Sequence, residues 1–314
     1  MAHLVFDIGG SKTRAAVFDR RTSALLAVAV TATPNHLDLP DASFDDLRRR
    51  LLSAMQRIAR EVAGACAVER VDVAFAGPLD REGRVVAAPT LWGTRLEQPY
   101  RIEEDLAQVW PRARIGVVND VTAAGYRYYR PGEDFCIVTV SSGIGHKVFI
   151  GGRPAVGPAG AGGEIGHLRV DDSFDAPVCE CGGRGHLGAI ASGRGVLVEA
   201  RRRQGREALS SGDLVAAFRR GESWAAELVS RSAVPLGSAL AAMHLGVGIE
   251  RFVLVGGFAL ALGEPYRRCV AAAASAHCWT GEGDWAERVE LGIEDDHSGL
   301  IGAGIAGVTR EEAA

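Results

Sequence analysis

A two-lobed α/β fold around a nucleotide cleft is what this 314-residue sequence predicts, on three observations. Two runs of strand, glycine turn and strand share one design and lie in different halves of the chain. An Asn-Asp pair closes an apolar run midway between them, and helical stretches alternate with the strand patterns. The expected division is an N-terminal α/β lobe over residues 1–118 and a larger C-terminal lobe over 119–314, with the last helix able to return to the first lobe.

The first run is His3-Leu4-Val5-Phe6, turning through Asp7-Ile8-Gly9-Gly10-Ser11-Lys12-Thr13 into Arg14-Ala15-Ala16-Val17-Phe18. Two apolar runs joined by Gly-Gly and small hydroxyl residues make a hairpin that can approach phosphate closely. Gly9, Gly10, Ser11, Lys12 and Thr13 would supply N–H and hydroxyl donors, and Asp7 would hold Mg²⁺ through water. A simple hairpin turn is the plainer alternative. Lysine usage speaks against it: of 35 Lys plus Arg, only Lys12 and Lys147 are lysine, and both lie in or beside a proposed phosphate loop.

A helical stretch follows from Phe44 to Val62, with Leu47, Leu51, Ile58 and Val62 at helical spacing. The apolar run Ile115-Gly116-Val117-Val118 then delivers Asn119-Asp120. A carboxylate at a strand mouth between phosphate loops suits the base that takes a proton from an acceptor hydroxyl in phosphoryl transfer. Asp120 could equally cap the helix begun by Val121-Thr122-Ala123-Ala124, and the two roles are compatible.

The second run enters from Phe135-Cys136-Ile137-Val138-Thr139-Val140, turns at Ser141-Ser142-Gly143-Ile144-Gly145 and leaves through Val148-Phe149-Ile150. Ser142, Gly143 and Gly145 are its candidate phosphate contacts. After the helical stretch Trp224 to Leu245, Val253-Leu254-Val255 ends in Gly256-Gly257, which could pass beneath an adenosine. Each glycine element alone could be only a turn; their order around Asn119-Asp120 is what carries the reading.

Between these elements lie Gly162-Gly163-Glu164-Ile165-Gly166-His167 and Cys179-Glu180-Cys181-Gly182-Gly183-Arg184-Gly185-His186. Cys179, Cys181 and His186 place soft donors on a tight turn, and His167 would complete a tetrahedral zinc site; a reduced, metal-free loop is the alternative. Cys66, Cys136, Cys269 and Cys278 read as small core residues or surface thiols.

In this order the motifs resemble the ROK sugar kinases, within the hexokinase and actin-like ATPase (ribonuclease H-like) superfamily. The resemblance runs from Asp7 through Asp296-His297-Ser298-Gly299-Leu300-Ile301-Gly302-Ala303. It implies ATP with Mg²⁺ as donor and a structural Zn²⁺. It also implies that Asp120 is the catalytic base, with Asn119, Glu164 and His167 on the sugar side, and that the Gly77-Pro78-Leu79-Asp80 and Pro89-Thr90-Leu91-Trp92-Gly93 loops close over the substrate. One departure bears on the metal: the family's third cysteine is His186 here. Two bear on the substrate: the family's Cys-Leu-Glu reads His186-Leu187-Gly188, which removes a carboxylate from the anomeric side, and the usual Pro-Asn-Leu is Pro89-Thr90-Leu91. A neighbouring residue or water could fill the gap, leaving Gly188 to serve the turn.

Glucose or a modified hexose such as 3-amino-3-deoxyglucose, phosphorylated on the 6-hydroxyl, is the first substrate class expected. A carbasugar or cyclitol is the second, since a ring without an anomeric hydroxyl has no use for the missing carboxylate. A sugar-sensing regulator is the third; with the phosphate motif already at Asp7, no DNA-binding module is expected and catalysis is favoured. A net charge of −4 offers no excess of positive charge for nucleic acid, and no apolar run approaches a membrane span. Composition suits a cytoplasmic setting, and the family resemblance implies a homodimer or homotetramer.

Overall fold

The computed structural model describes residues 1–279 and 283–312 and resolves the chain into two units, each built on one five-stranded sheet. The first unit comprises Met1–Tyr129, Val156–Ala161 and the chain from Asp295 onward; the second comprises Arg130–Ala155 and Gly162–Glu294.

In the first unit β1 (Ala2–Ile8), β2 (Lys12–Asp19) and β3 (Ala24–Ala32) form an antiparallel meander, and β4 (Val68–Phe75) and β5 (Arg114–Asn119) run parallel to β1. The strand order is β3-β2-β1-β4-β5. Central β1 is apolar on both faces because both are covered. Leu4, Phe6 and Ile8 share a core with Leu47, Leu51 and Met55 of the helix Phe44–Ala63, while Val5 joins Phe18 and Leu300 beneath the helix Ser298–Glu312. Fully burying one such Leu or Phe side chain is worth about 1.5–3 kcal/mol. Ser43 caps the first helix by accepting from the Asp46 N–H, and Asp45 and Asp46 favour its positive end.

The helix Ser298–Glu312 sits close because its inner face is glycine. A Cβ on Gly302 would lie 1.7 Å from the Ala123 carbonyl oxygen, and one on Gly307 would lie 2.0 Å from the Asp72 carboxylate. That carboxylate is buried and paired with His3 at 2.7 Å and Arg70 at 2.5 Å.

The second unit repeats the design. β6 (Phe135–Val140), β7 (Ile144–Ile150) and β8 (Arg153–Pro154) form a meander, and β9 (Phe252–Val255) and β10 (Val289–Leu291) extend the sheet in parallel from β6, giving the order β10-β9-β6-β7-β8. The helices Ser223–Val247 and Glu264–Ala276 pack tightly, a Cβ on Gly237 falling 2.6 Å from that of Ala273.

Both glycine turns are hairpins, and the long helices begin within a residue of the expected positions. The first unit runs past residue 118 to Tyr129, because the helix Asp120–Tyr128 packs on the C-terminal helix at the Ala123–Gly302 contact. All six cysteines are unpaired by disulfides; Cys136 is buried and Cys66 exposed. Among the described residues no helix is long and apolar enough to cross a membrane.

Candidate active site

In the first unit the parallel register aligns Ile8, Phe75 and Asn119 at the carboxyl ends of β1, β4 and β5. Loops at this edge are where open α/β sheets bind ligands, and they carry Asp7 to Lys12, Gly77 and Asn119-Asp120. The first turn is tight: the Gly9 N–H donates to the Lys12 carbonyl at 3.0 Å, and a Cβ on Gly10 would lie 2.8 Å from that of Thr90. Thr90 is therefore brought onto the Gly9-Gly10 turn. Ser11 and Lys12 are exposed, but Thr13, expected among the phosphate donors, turns inward: it is fully buried and its hydroxyl bonds that of Thr33 at 2.8 Å. Strand alternation sends its side chain to the core face.

Asp7 is partly buried, 3.5 Å from the Arg14 guanidinium, and a Cβ on Gly299 at the start of the C-terminal helix would fall 2.6 Å from its carboxyl carbon. Burial raises its pKa to about 6; Arg14 lowers it and nearby Asp296 raises it. The sign of the stability effect follows. A native pKa above the unfolded value leaves the ionised carboxylate costing stability above pH 6, and that cost vanishes as pH falls below the unfolded value of 3.8. Asp7→Asn is expected to stabilise the nucleotide-free, Mg²⁺-free protein at pH 8, by on the order of 2–3 kcal/mol. The gain should disappear near pH 4 in thermal melts; a pH-independent difference overturns it.

Asn119, not Asp120, caps the helix: its Oδ1 accepts from the Thr122 N–H at 3.0 Å. Its Nδ2 donates to the Gly77 carbonyl at 3.0 Å and to Asp120 Oδ1 at 2.8 Å, and that oxygen also accepts from the Val121 N–H at 2.8 Å. The cap thus fixes the Asp120 carboxylate and the Gly77 loop together. Gly77 has φ +149°, and a Cβ there would lie 2.3 Å from the Ala87 carbonyl oxygen, so the position requires glycine.

In the second unit β6 and β9 end side by side, Thr139 opposite Val255. Ser141-Ser142 and Gly257 thereby line one cavity of 530 Å³, with Phe258, Leu197 and Val215 as its apolar wall. Gly256 has φ +94°, and a Cβ there would meet Thr139 Oγ1 and the Val140 carbonyl, each at 2.7 Å. Gly143 and Gly145 lie in the turn and on the second strand, the Gly143 carbonyl accepting from the Ser141 N–H at 2.9 Å.

Glu164 precedes the 3₁₀ turn Ile165–His167. A Cβ on Gly166 would lie 2.3 Å from the Ile144 carbonyl oxygen, so the turn packs on the strand leaving the second loop. Lys147, beside that loop, is buried and its ammonium donates to the Gly162 carbonyl. His146 accepts from the Ile165 N–H at 3.3 Å. The two side chains grip the segment on either side of Glu164, a role no motif announced.

His167, Cys179, Cys181 and His186 bring one ligand atom each to within 4.8 Å of one another. Cys181 Sγ is 3.3 Å from His186 Nδ1, Cys179 Sγ is 3.8 Å from His167 Nδ1, and the two imidazole rings meet edge to face at 5.6 Å. Gly183 leaves room for the His186 ring, which a Cβ would approach to 2.3 Å. Two thiols and two imidazoles at this spacing fit a tetrahedral zinc ion, whose Zn–S and Zn–N bonds are about 2.3 and 2.0–2.1 Å.

Two sheets of the same strand order, each with a glycine loop after its central strand, give the actin-like ATPase fold, and likeness over nearly the whole chain to named sugar kinases makes the protein an ATP-dependent sugar kinase. The chain belongs to the ROK family, whose model matches residues 4–307. It is 38% identical, over 96% of its length and 92% of the relative's, to a C(7)-cyclitol 7-kinase of Streptomyces hygroscopicus subsp. jinggangensis. It is 33% identical to an N-acetylmannosamine kinase of Escherichia fergusonii, over 84% of this chain and 85% of the relative. A crystal structure of a ROK hexokinase from Thermus thermophilus superposes with a TM-score of 0.77 at 30% identity, covering 100% of both chains.

Proposed function

We propose that the chain transfers the γ-phosphoryl group of ATP to a hydroxyl of a cyclitol, a carbocyclic relative of a hexose. The observation that carries this reading is Gly188. Its Cβ direction points at the Gly166 carbonyl oxygen, 3.1 Å away, inside the Glu164–His167 turn, so a side chain there would face the Glu164 turn and this chain has none. A site lacking the partner of an anomeric hydroxyl suits a ring that has no such hydroxyl. Likeness to a C(7)-cyclitol 7-kinase over nearly the whole chain supports the same substrate class. A hexose is the second reading, favoured by the likeness to the hexokinase.

In this mechanism Asp120 takes the proton from the acceptor hydroxyl as its oxygen attacks the γ-phosphorus in line and ADP departs. Asn119 holds that carboxylate and the Gly77 carbonyl in one geometry. Gly77, Thr90, Asn119, Glu164 and His167 are assigned to the acceptor. Gly9, Gly10, Ser11, Lys12, Ser142, Gly143 and Gly145 are assigned to the phosphates, and Gly256 and Gly257 to the nucleoside. Mg²⁺ associated with Asp7 would offset charge on the transferred group.

ADP-release assays with a C7 cyclitol, glucose, N-acetylmannosamine and 1-deoxyglucose test the reading. The cyclitol is expected to exceed glucose in kcat/KM by at least about tenfold, and 1-deoxyglucose to match glucose. Preference for glucose with the 1-deoxy analogue inert overturns it. Gly188→Glu is expected to shift preference toward glucose, a hydrogen bond to a charged group being worth roughly 1.5–3 kcal/mol. The added Cβ requires the Gly166 carbonyl to yield by only a few tenths of an ångström.

A further inference from the structure

Arg194 is the one charged residue among the described residues lining the 530 Å³ cavity. Its backbone position is tightly set. The preceding Gly193 N–H donates to the Ser141 carbonyl at 2.8 Å, and a Cβ on Gly193 would lie 2.8 Å from that oxygen and 2.9 Å from the Phe258 ring. Ser192 caps the helix Gly193–Gln204 from which Arg194 projects. Its guanidinium pairs with Glu180. Glu180 lies between Cys179 and Cys181, two of the four clustered metal-site donors.

We propose that Glu180 is a positioning residue that orients Arg194 against the nucleotide, so that occupancy of the Cys/His site and nucleotide affinity are linked. The proposal rests on the metal and nucleotide readings above. A divalent ion drawing both thiolates to bonding distance tethers the chain immediately on each side of Glu180. Without the ion, the turn keeps the backbone bonds from the Cys179 N–H to the Gly183 carbonyl at 2.7 Å and from the Gly182 N–H to the Cys179 carbonyl at 2.8 Å, neither of which holds the Glu180 side chain. An Arg194 side chain released from a fixed partner must be ordered again when nucleotide binds, which weakens binding. Linkage is reciprocal, so bound nucleotide must also retain the metal. Arg194 and Glu180 are 48% and 69% exposed, so the effect is modest and screened by salt.

The test measures ADP affinity by calorimetry for the metal-loaded wild type, metal-loaded Glu180→Gln and Arg194→Gln, and chelator-treated wild type and Glu180→Gln, in low salt and in 1 M NaCl. Glu180→Gln and Arg194→Gln are each expected to weaken ADP about two- to fivefold in low salt with the metal retained, and 1 M NaCl should erase the difference. Chelation should weaken ADP in the wild type by a similar factor and add nothing in Glu180→Gln. ADP should slow zinc release to a chromogenic chelator in the wild type only. Wild-type ADP affinity in metal-loaded Glu180→Gln, or equal effects of chelation in both proteins, overturns the proposal. ADP failing to bind the loaded wild type, or purified protein carrying no metal, overturns the readings beneath it instead. The loaded variants need no chelation, so the outcome stands even if metal removal unfolds the chain.

Discussion

Asp120→Asn is expected to lower kcat by about 10²–10⁴, the usual cost of losing a positioned base, while ADP binding by calorimetry stays within about twofold of wild type. The substitution keeps the oxygen that accepts from the Val121 N–H and Asn119 Nδ2. The cap at Asn119 does not depend on it. Fold and nucleotide cavity are therefore preserved while proton acceptance is lost. Near-wild-type turnover would remove Asp120 from the mechanism.

Cys179→Ser is expected to release the metal and weaken the acceptor's KM by tenfold or more, about the range seen when a metal site is disturbed, with a smaller effect on kcat. Elemental analysis of wild type purified without chelators should find about one zinc per chain, as a closed four-ligand site requires. The acceptor effect follows from His167, which ends the 3₁₀ turn that Glu164 immediately precedes. Losing the ion at one end of that turn loosens the carboxylate at the other. Metal-free wild type with full activity would retire both statements.

What could be read from the sequence was what short segments decide for themselves. Gly9-Gly10 and the turn after Val140 announce hairpins because few other residues allow so close a turn, and the candidate ligands Cys179, Cys181 and His186 lie within eight residues. Hydroxyl chemistry suggests Thr13 as a phosphate donor, whereas its place on β2 buries the side chain against Thr33. Lys147 stood out by composition, yet its target, the Gly162 carbonyl, is fixed only when β7 meets the later turn. The Arg194–Glu180 pair and the glycine face of the last helix rest on contacts between distant segments, and no local pattern encodes them. Gly188 was visible as a departure, but only the direction of its Cβ says what an added side chain would meet.

The return of the last helix to the first unit reverses the order in which the chain can mature on the ribosome. The second unit draws almost wholly on one continuous stretch and has all its strands and helices once residue 294 has emerged. The first unit, although most of it is synthesised earlier, must wait with β1 and β4 uncovered on one face until Gly302 and Gly307 arrive to dock against Ala123 and Asp72. A nascent chain that pauses before that point exposes Val5 and Phe18 to solvent, which makes docking of the late, glycine-faced helix the step that closes this apolar face.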